Sequence, residues 1–147
     1  INNINFIFVG GGEINLFKKL IISKKIDNII SIYDNINNEE KIRLLEESHL
    51  FVLPTYNEGQ PISIIEAMCC GLPILSTKVG AIPELILPKN GHLIEPGNLN
   101  QLREGILKYY DNRKLASQTS EFNHSESKKR FTLLRVYKEL EDIYKII

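Results

Sequence analysis

The chain of 147 residues predicts an α/β fold: a doubly wound, Rossmann-like parallel sheet of about five strands with flanking helices. Three observations carry this. Five short apolar runs recur, and stretches with helical period separate them. The runs are apolar on both faces, as strands between two helical layers must be. Their interruptions are abrupt, at Gly10-Gly11-Gly12 after the first run and at Pro54 after the third.

The elements follow in order. Asn5-Phe6-Ile7-Phe8-Val9 reads as a buried strand. A helix over 13–24 carries Ile14, Phe17 and Ile21 on one face and lysines on the other. Ile29-Ile30-Ser31-Ile32-Tyr33 is the second strand, and Asn37-x-x-Glu40 resembles a capping box opening a helix through Ile42 and Leu45. Leu50-Phe51-Val52-Leu53 is the third strand. After a polar loop, Pro61 suits the first position of a helix reaching Cys70, with Gly71 as its C-terminal cap. Pro73-Ile74-Leu75-Ser76 and Gly91-His92-Leu93-Ile94 supply strands four and five. Asn98-x-x-Gln101 opens a further helix, and the chain is helical from Arg113. The last helix, over 125–147, sets Phe131, Leu134, Leu140, Ile143 and Ile147 near one stripe.

The length suits a single domain, 1–147, with a core of its own. Lysine plus arginine and aspartate plus glutamate balance at 18 each, so neither nucleic acid nor an anionic membrane is expected as the main partner. Cys69 and Cys70 are neighbours, which rarely form an unstrained disulfide; they are expected reduced, packed as small hydrophobes, in a cytoplasmic chain. No run approaches the length of a membrane-spanning helix. The only methionine is Met68, and Ile1 begins just before a strand, so the chain is expected to be a piece of a longer one.

Two carboxylates eight residues apart hold most of the functional information: Glu58 in Asn57-Glu58-Gly59-Gln60-Pro61, and Glu66 in Ile64-Ile65-Glu66-Ala67-Met68. Glu66 is the only charge in an apolar stretch, and burying a carboxylate demands a polar partner. Free amides at the start of the helix, near residues 60–63, favour an anion such as a diphosphate, and Gly59 lets backbone approach a ligand. The blander alternative is a surface Glu58 and a Glu66 paired to a lysine or an amide. Gly10-x-Gly12 with Asp34 half-matches a dinucleotide fingerprint, but Asn15 stands where its third glycine belongs. Glycoside hydrolysis by paired carboxylates is disfavoured, because a helix N-terminus stabilises the ionised form over a general acid. His49, His92 and His124 are scattered, no Asp-x-Asp pair is present, and no metal site is expected. Lys78, after strand four, is a weak phosphate candidate.

Phe51-Val52-Leu53-Pro54-Thr55-Tyr56-Asn57-Glu58-Gly59, Ile65-Glu66-Ala67-Met68, Cys70-Gly71-Leu72-Pro73, Val79-Gly80-Ala81-Ile82-Pro83-Glu84 and Asn90-Gly91-His92-Leu93-Ile94-Glu95-Pro96-Gly97 occur in order. Together they resemble the C-terminal, nucleotide-sugar-binding domain of family-4 retaining glycosyltransferases of the GT-B fold, with their E-x7-E motif. The resemblance implies that Glu58 contacts hydroxyls of the donor sugar and Glu66 the ribose. The backbone of Gln60, Pro61 and Ile62 would face sugar and diphosphate. Gly80 and Gly12 would line the donor cleft, and Asp34 and Asn35 would lie near the base. A nucleotide-diphosphate sugar is the implied substrate, with no cofactor.

The same resemblance marks departures. The family's domain starts with a strand–helix unit carrying an Arg and a Lys for the diphosphate, and nothing here matches it. In the order 3-2-1-4-5-6 that strand is central. Its absence predicts weak donor binding, and a strand taken from a second copy by self-association or a rearranged edge. Ala81 replaces a common second glycine and Gln60-Pro61 a frequent Phe-Gly pair, which bears on donor choice. The parent chain would add an N-terminal Rossmann domain for the acceptor and any peripheral contact with the inner membrane face; this piece alone would be inactive. A non-catalytic nucleotide-binding or docking module is the alternative. Sugar, base and acceptor are not legible.

Overall fold

In a computed structural model, residues 4–145 are described, apart from the side chains of Glu139 and Ile143. The expectations for Ile143 and Ile147 lie outside the described residues. The chain divides between Lys41 and Ile42 into two compact units.

The first unit pairs β1 (Phe6–Val9) with β2 (Ile30–Tyr33) in parallel, Phe6 opposite Ile30. Between them runs α1 (Ile14–Ser23), and its Phe17 meets Phe8 edge-on at 4.8 Å. Ile21, the buried member of the predicted stripe, is 6% exposed. Asn37 caps α2 (Asn38–Glu46) by accepting from the Glu40 amide at 2.8 Å, as the sequence pattern predicts.

The second unit holds a three-stranded parallel sheet in the order β3 (Phe51–Leu53), β4 (Ile74–Thr77), β5 (Gly91–Ile94). All four residues of β4 are buried, as a central strand in a covered sheet requires. The core joins Ile64, Ala67 and Met68 of α3 (Ile62–Cys69) to Leu72, Ile74, Ile82, Leu85 and Ile86. Gly71, at φ +79, ends α3 in a Schellman motif: its amide donates to the Met68 carbonyl and that of Leu72 to the Ala67 carbonyl. Pro61 falls one residue earlier than expected, as the N-cap.

The five strands are therefore present but form two sheets, one of two strands and one of three.

A short helix, α4 (Ile82–Leu85), was not expected from the sequence. It is followed by α5 (Leu99–Asp111), whose N-cap Asn98 accepts from the Gln101 amide at 3.0 Å. The expected last helix, from residue 125 onward, is corrected. Residues up to Arg130 complete α6 (Arg113–Arg130), and α7 (Leu133–Tyr144) starts afresh after Phe131 and Thr132. The cause is Asn112, which accepts from the Leu115 amide and starts α6 much earlier, while Thr132 supplies a new N-terminal cap through Arg135.

α6 faces inward with polar side chains. Thr119, Asn123 and Ser127 recur every four residues and are buried. Asn123 Nδ2 donates to the carbonyls of Leu72 (2.6 Å) and Asn90 (2.8 Å), while its Oδ1 accepts from Asn90 Nδ2 at 2.7 Å. This ties α6 to the end of α3 and the start of β5.

Candidate functional site

At the carboxyl ends of the second unit's strands, three loops meet. The ladder of β3 ends at Pro54, which has no amide to extend it. Two hydroxyls of β4 take over: Ser76 Oγ donates to the Leu53 carbonyl at 2.8 Å and Thr77 Oγ1 to the Thr55 carbonyl at 2.7 Å. Both residues are 0% exposed. Thr55 Oγ1 then donates to the Asn57 carbonyl (3.1 Å) and accepts from the Asn57 amide (3.3 Å), closing a tight turn.

Glu58 follows, half-buried, with Gly59 and Gln60 exposed. The Ala81 amide donates to the Gly59 carbonyl at 3.0 Å. Gly80, at φ +52, packs so closely on the Glu58 carbonyl oxygen that a Cβ there would lie 1.7 Å from it. Ala81 itself has φ −86, so the departure from a second glycine needs no special backbone. The loop after β5 closes the third side. Gly97 packs on Tyr56, and a Cβ there would stand 3.1 Å from the phenol oxygen.

No side chain caps α3 at Pro61, and Ile62 beside it is exposed. The positive end of the helix therefore adjoins the Glu58–Gln60 loop. Glu66 lies in the second turn of α3, half-buried, and is not without a partner. Its field reaches Cys70: burial first, then the charges of Glu46, Cys69 and Glu66, push the Cys70 thiol above its ordinary value. Cys69 and Cys70 are both free thiols, but Cys69 is exposed, contrary to the packed pair expected; it falls on the outer face at the end of α3. Lys78, the phosphate candidate, pairs with Glu95 at 2.6 Å, both about half-exposed. Among the described residues, no group of three His, Cys, Asp or Glu is placed to hold a metal ion.

In the first unit, the pairing of β1 with β2 brings the glycine turn beside Asp34 and Asn35. The Gly10 amide donates to the Tyr33 carbonyl at 3.0 Å, and a Cβ on Gly11 would lie 3.7 Å from Asp34 Oδ1. Gly10 and Gly12 adopt φ +143 and +106, and Asn35 φ +51, so the turn depends on residues that tolerate the left-handed region. Asp34 and Asn35 are both exposed.

Ser76 and Thr77 escape a reading for chemistry-bearing motifs. Their signal is compositional: two hydroxyl residues close an otherwise apolar central strand, beside a partner strand that ends in proline.

Comparison with known proteins places this geometry. Residues 1–125 match the family described as glycosyl transferases group 1. An uncharacterized glycosyltransferase of Methanocaldococcus jannaschii is 30% identical over 94% of the chain, which spans 41% of that protein. The capsular polysaccharide biosynthesis glycosyltransferase CapM of Staphylococcus aureus is 26% identical over 85% of the chain, 30% of its own length. Among solved structures, Anabaena HepE in complex with UDP superposes with a TM-score of 0.85 at 21% identity, over 100% of this chain and 42% of that one; it is also known with UDP-glucose. The fold is thus that of the GT-B glycosyltransferases. The family match takes in both carboxylates, the loop that fastens Glu58 and the whole three-stranded sheet. The chain belongs to the group 1 glycosyl transferases.

Proposed function

We propose that this chain is the donor-binding domain of a retaining, family-4-like glycosyltransferase whose E-x7-E pair is Glu58 and Glu66. The parent would move a hexose or related sugar from a nucleotide diphosphate to a glycan or lipid-linked acceptor, in polysaccharide or glycoconjugate synthesis. The observation that supports this best is the fastened Glu58–Gly59 loop, which leads directly into a helix without a side-chain cap that carries Glu66.

In this reading Glu58 accepts hydrogen bonds from sugar hydroxyls beside the helix N-terminus. Glu66 accepts from the ribose. Amides from Gln60 to Ile62 face the diphosphate, and Gly80 shapes the wall against which the sugar lies. Gly12, Asp34 and Asn35 belong to the base-side wall. The leaving phosphate takes the acceptor's proton while the new glycosidic bond forms on the same face of the anomeric carbon. The protein contributes position and electrostatic stabilisation. No metal has a part in it. The relatives are more than twice as long as this chain, which supports a parent with a facing domain for the acceptor.

The test is calorimetric titration of the full-length protein with a panel of nucleotide sugars, alongside Glu66→Ala. Losing charge-assisted hydrogen bonds to a diol is expected to weaken binding by about 10- to 100-fold. Unchanged affinity would sink the ribose role. A non-catalytic docking module is the second reading, and the exposed Leu133, Leu134 and Tyr137 of α7 favour it. Sugar transfer by the full-length protein decides against it.

A further inference from the structure

Four residues of one segment hold the backbone around Glu58. Ser76 and Thr77 fix the carbonyls of Leu53 and Thr55, Ala81 fixes that of Gly59, and Gly80 admits that of Glu58. The spacing matters. Pro54 ends the ladder, so without these contacts nothing in the sheet would set the path of residues 55–60. The two hydroxyls are completely buried, and removing either takes a hydrogen bond from a carbonyl of this stretch.

Gly80 has the least freedom. A Cβ there would meet three backbone atoms: the Glu58 oxygen at 1.7 Å, the Glu58 carbonyl carbon at 2.9 Å and the Gly59 oxygen at 3.1 Å. No side-chain rotation relieves such a clash, and the left-handed φ of +52 adds strain to any replacement. The loop would have to move by more than about an ångström to regain ordinary contact distance.

The geometry points to Gly80 and Thr77 as positioning residues that set where the Glu58 carboxylate stands, and through it the affinity for the sugar half of the donor. This assigns Gly80 a part beyond contact with ligand, and gives Thr77 one that its burial would otherwise hide. The inference rests on the donor-binding reading of Glu58 given above. A group displaced by about an ångström loses on the order of 100-fold in effect, so a small backbone shift suffices.

The test uses the full-length protein and the variants Glu58→Gln, Gly80→Ala, Thr77→Val and Thr77→Ser. Two probes, UDP and UDP-glucose, give the gain in affinity that the sugar brings; amide exchange over residues 55–60 reports the loop, with Tm alongside. Gly80→Ala is expected to remove about tenfold or more of that gain, as Glu58→Gln does. Thr77→Val is expected to shift it the same way and to speed exchange over 55–60, with Tm lowered by no more than about a few degrees. Thr77→Ser, which keeps the hydroxyl, is expected to behave as wild type. If Glu58→Gln erases the gain while Gly80→Ala and Thr77→Val keep it, the positioning role is overturned and the donor reading stands. If Glu58→Gln changes nothing, or UDP-glucose adds nothing over UDP, the donor reading fails at this residue. Loop exchange then decides the fastening, and wild-type rates in Thr77→Val overturn it. Thr77→Val also carries the test if Gly80→Ala does not fold.

Discussion

Single residues in this chain do more than their types announce. Asn90, Asn123 and Thr77 are polar, buried and hydrogen-bonded; Asn123 and Thr77 fix backbone carbonyls of other segments, and Asn90 holds the Leu87 amide of its own turn and the Asn123 side chain. Asn123→Ala would strip partners from the carbonyls of Leu72 and Asn90 and from the Asn90 amide, all inside the core. A loss of about 3 kcal/mol is expected from urea unfolding. Ser127→Ala, which removes one bond to the carbonyl of His124 within the same helix, is expected to cost about 1 kcal/mol or less. That Glu58 stands in a loop before a helix and Glu66 within that helix was legible, because a charge in apolar company and a glycine before a helix are local patterns. Asn123 was not, because its partners lie 51 and 33 residues away. No window of sequence contains that reason.

Elements were read well where a cap or a breaker sits in the sequence. Asn37 and Asn98 both cap the helices assigned to them, and Gly71 ends α3. The helical reading from Arg113 holds, but its division at 125 fails, because α6 has little apolar periodicity and buries hydroxyls and an amide instead. Within β5, His92 is partly buried near Lys108 and Lys78, and burial first, then those two charges, lower its pKa below the ordinary 6.5. The neutral ring is therefore favoured in the fold. Above pH 6.5 both states are neutral and stability is full; as pH falls from 6.5 toward the lowered value, only the unfolded state takes up the proton and stability is lost. Replacing His92 by Gln is expected to flatten that part of the stability–pH curve, measured by urea midpoints between about pH 7 and 5.

At the scale of the molecule, the sequence predicts the α/β class and all five strands, because each strand is a short apolar run between helical stretches. The grouping of those strands into two sheets, in two compact units, is not legible, because hydrogen bonding between strands depends on which neighbours are present. The units differ in how much they cover. In the first, Ile21 is the buried residue among those described, and Ile7, Phe8 and Val9 of β1 are exposed. In the second, an entire strand is buried. A two-stranded sheet with so little cover is marginal, so amides of β1 and β2 in the 147-residue chain are expected to exchange on the order of 100-fold faster than those of β4. Equal protection of both sheets would show that the first unit is stabilised by something other than its own packing. Among the described residues no helix is long and apolar enough to cross a membrane.

The buried face of α6 also has a thermal meaning. Thr119, Asn123 and Ser127 face inward where leucines would be usual. Exposing apolar surface raises the heat capacity of unfolding, and exposing polar surface lowers it. Detaching this helix should therefore absorb heat to break hydrogen bonds while adding little to the heat capacity. Its attachment would not weaken on cooling, as attachment through leucines would. In calorimetry, variants of Asn123 would lower the enthalpy of unfolding and leave its slope with temperature nearly as it was.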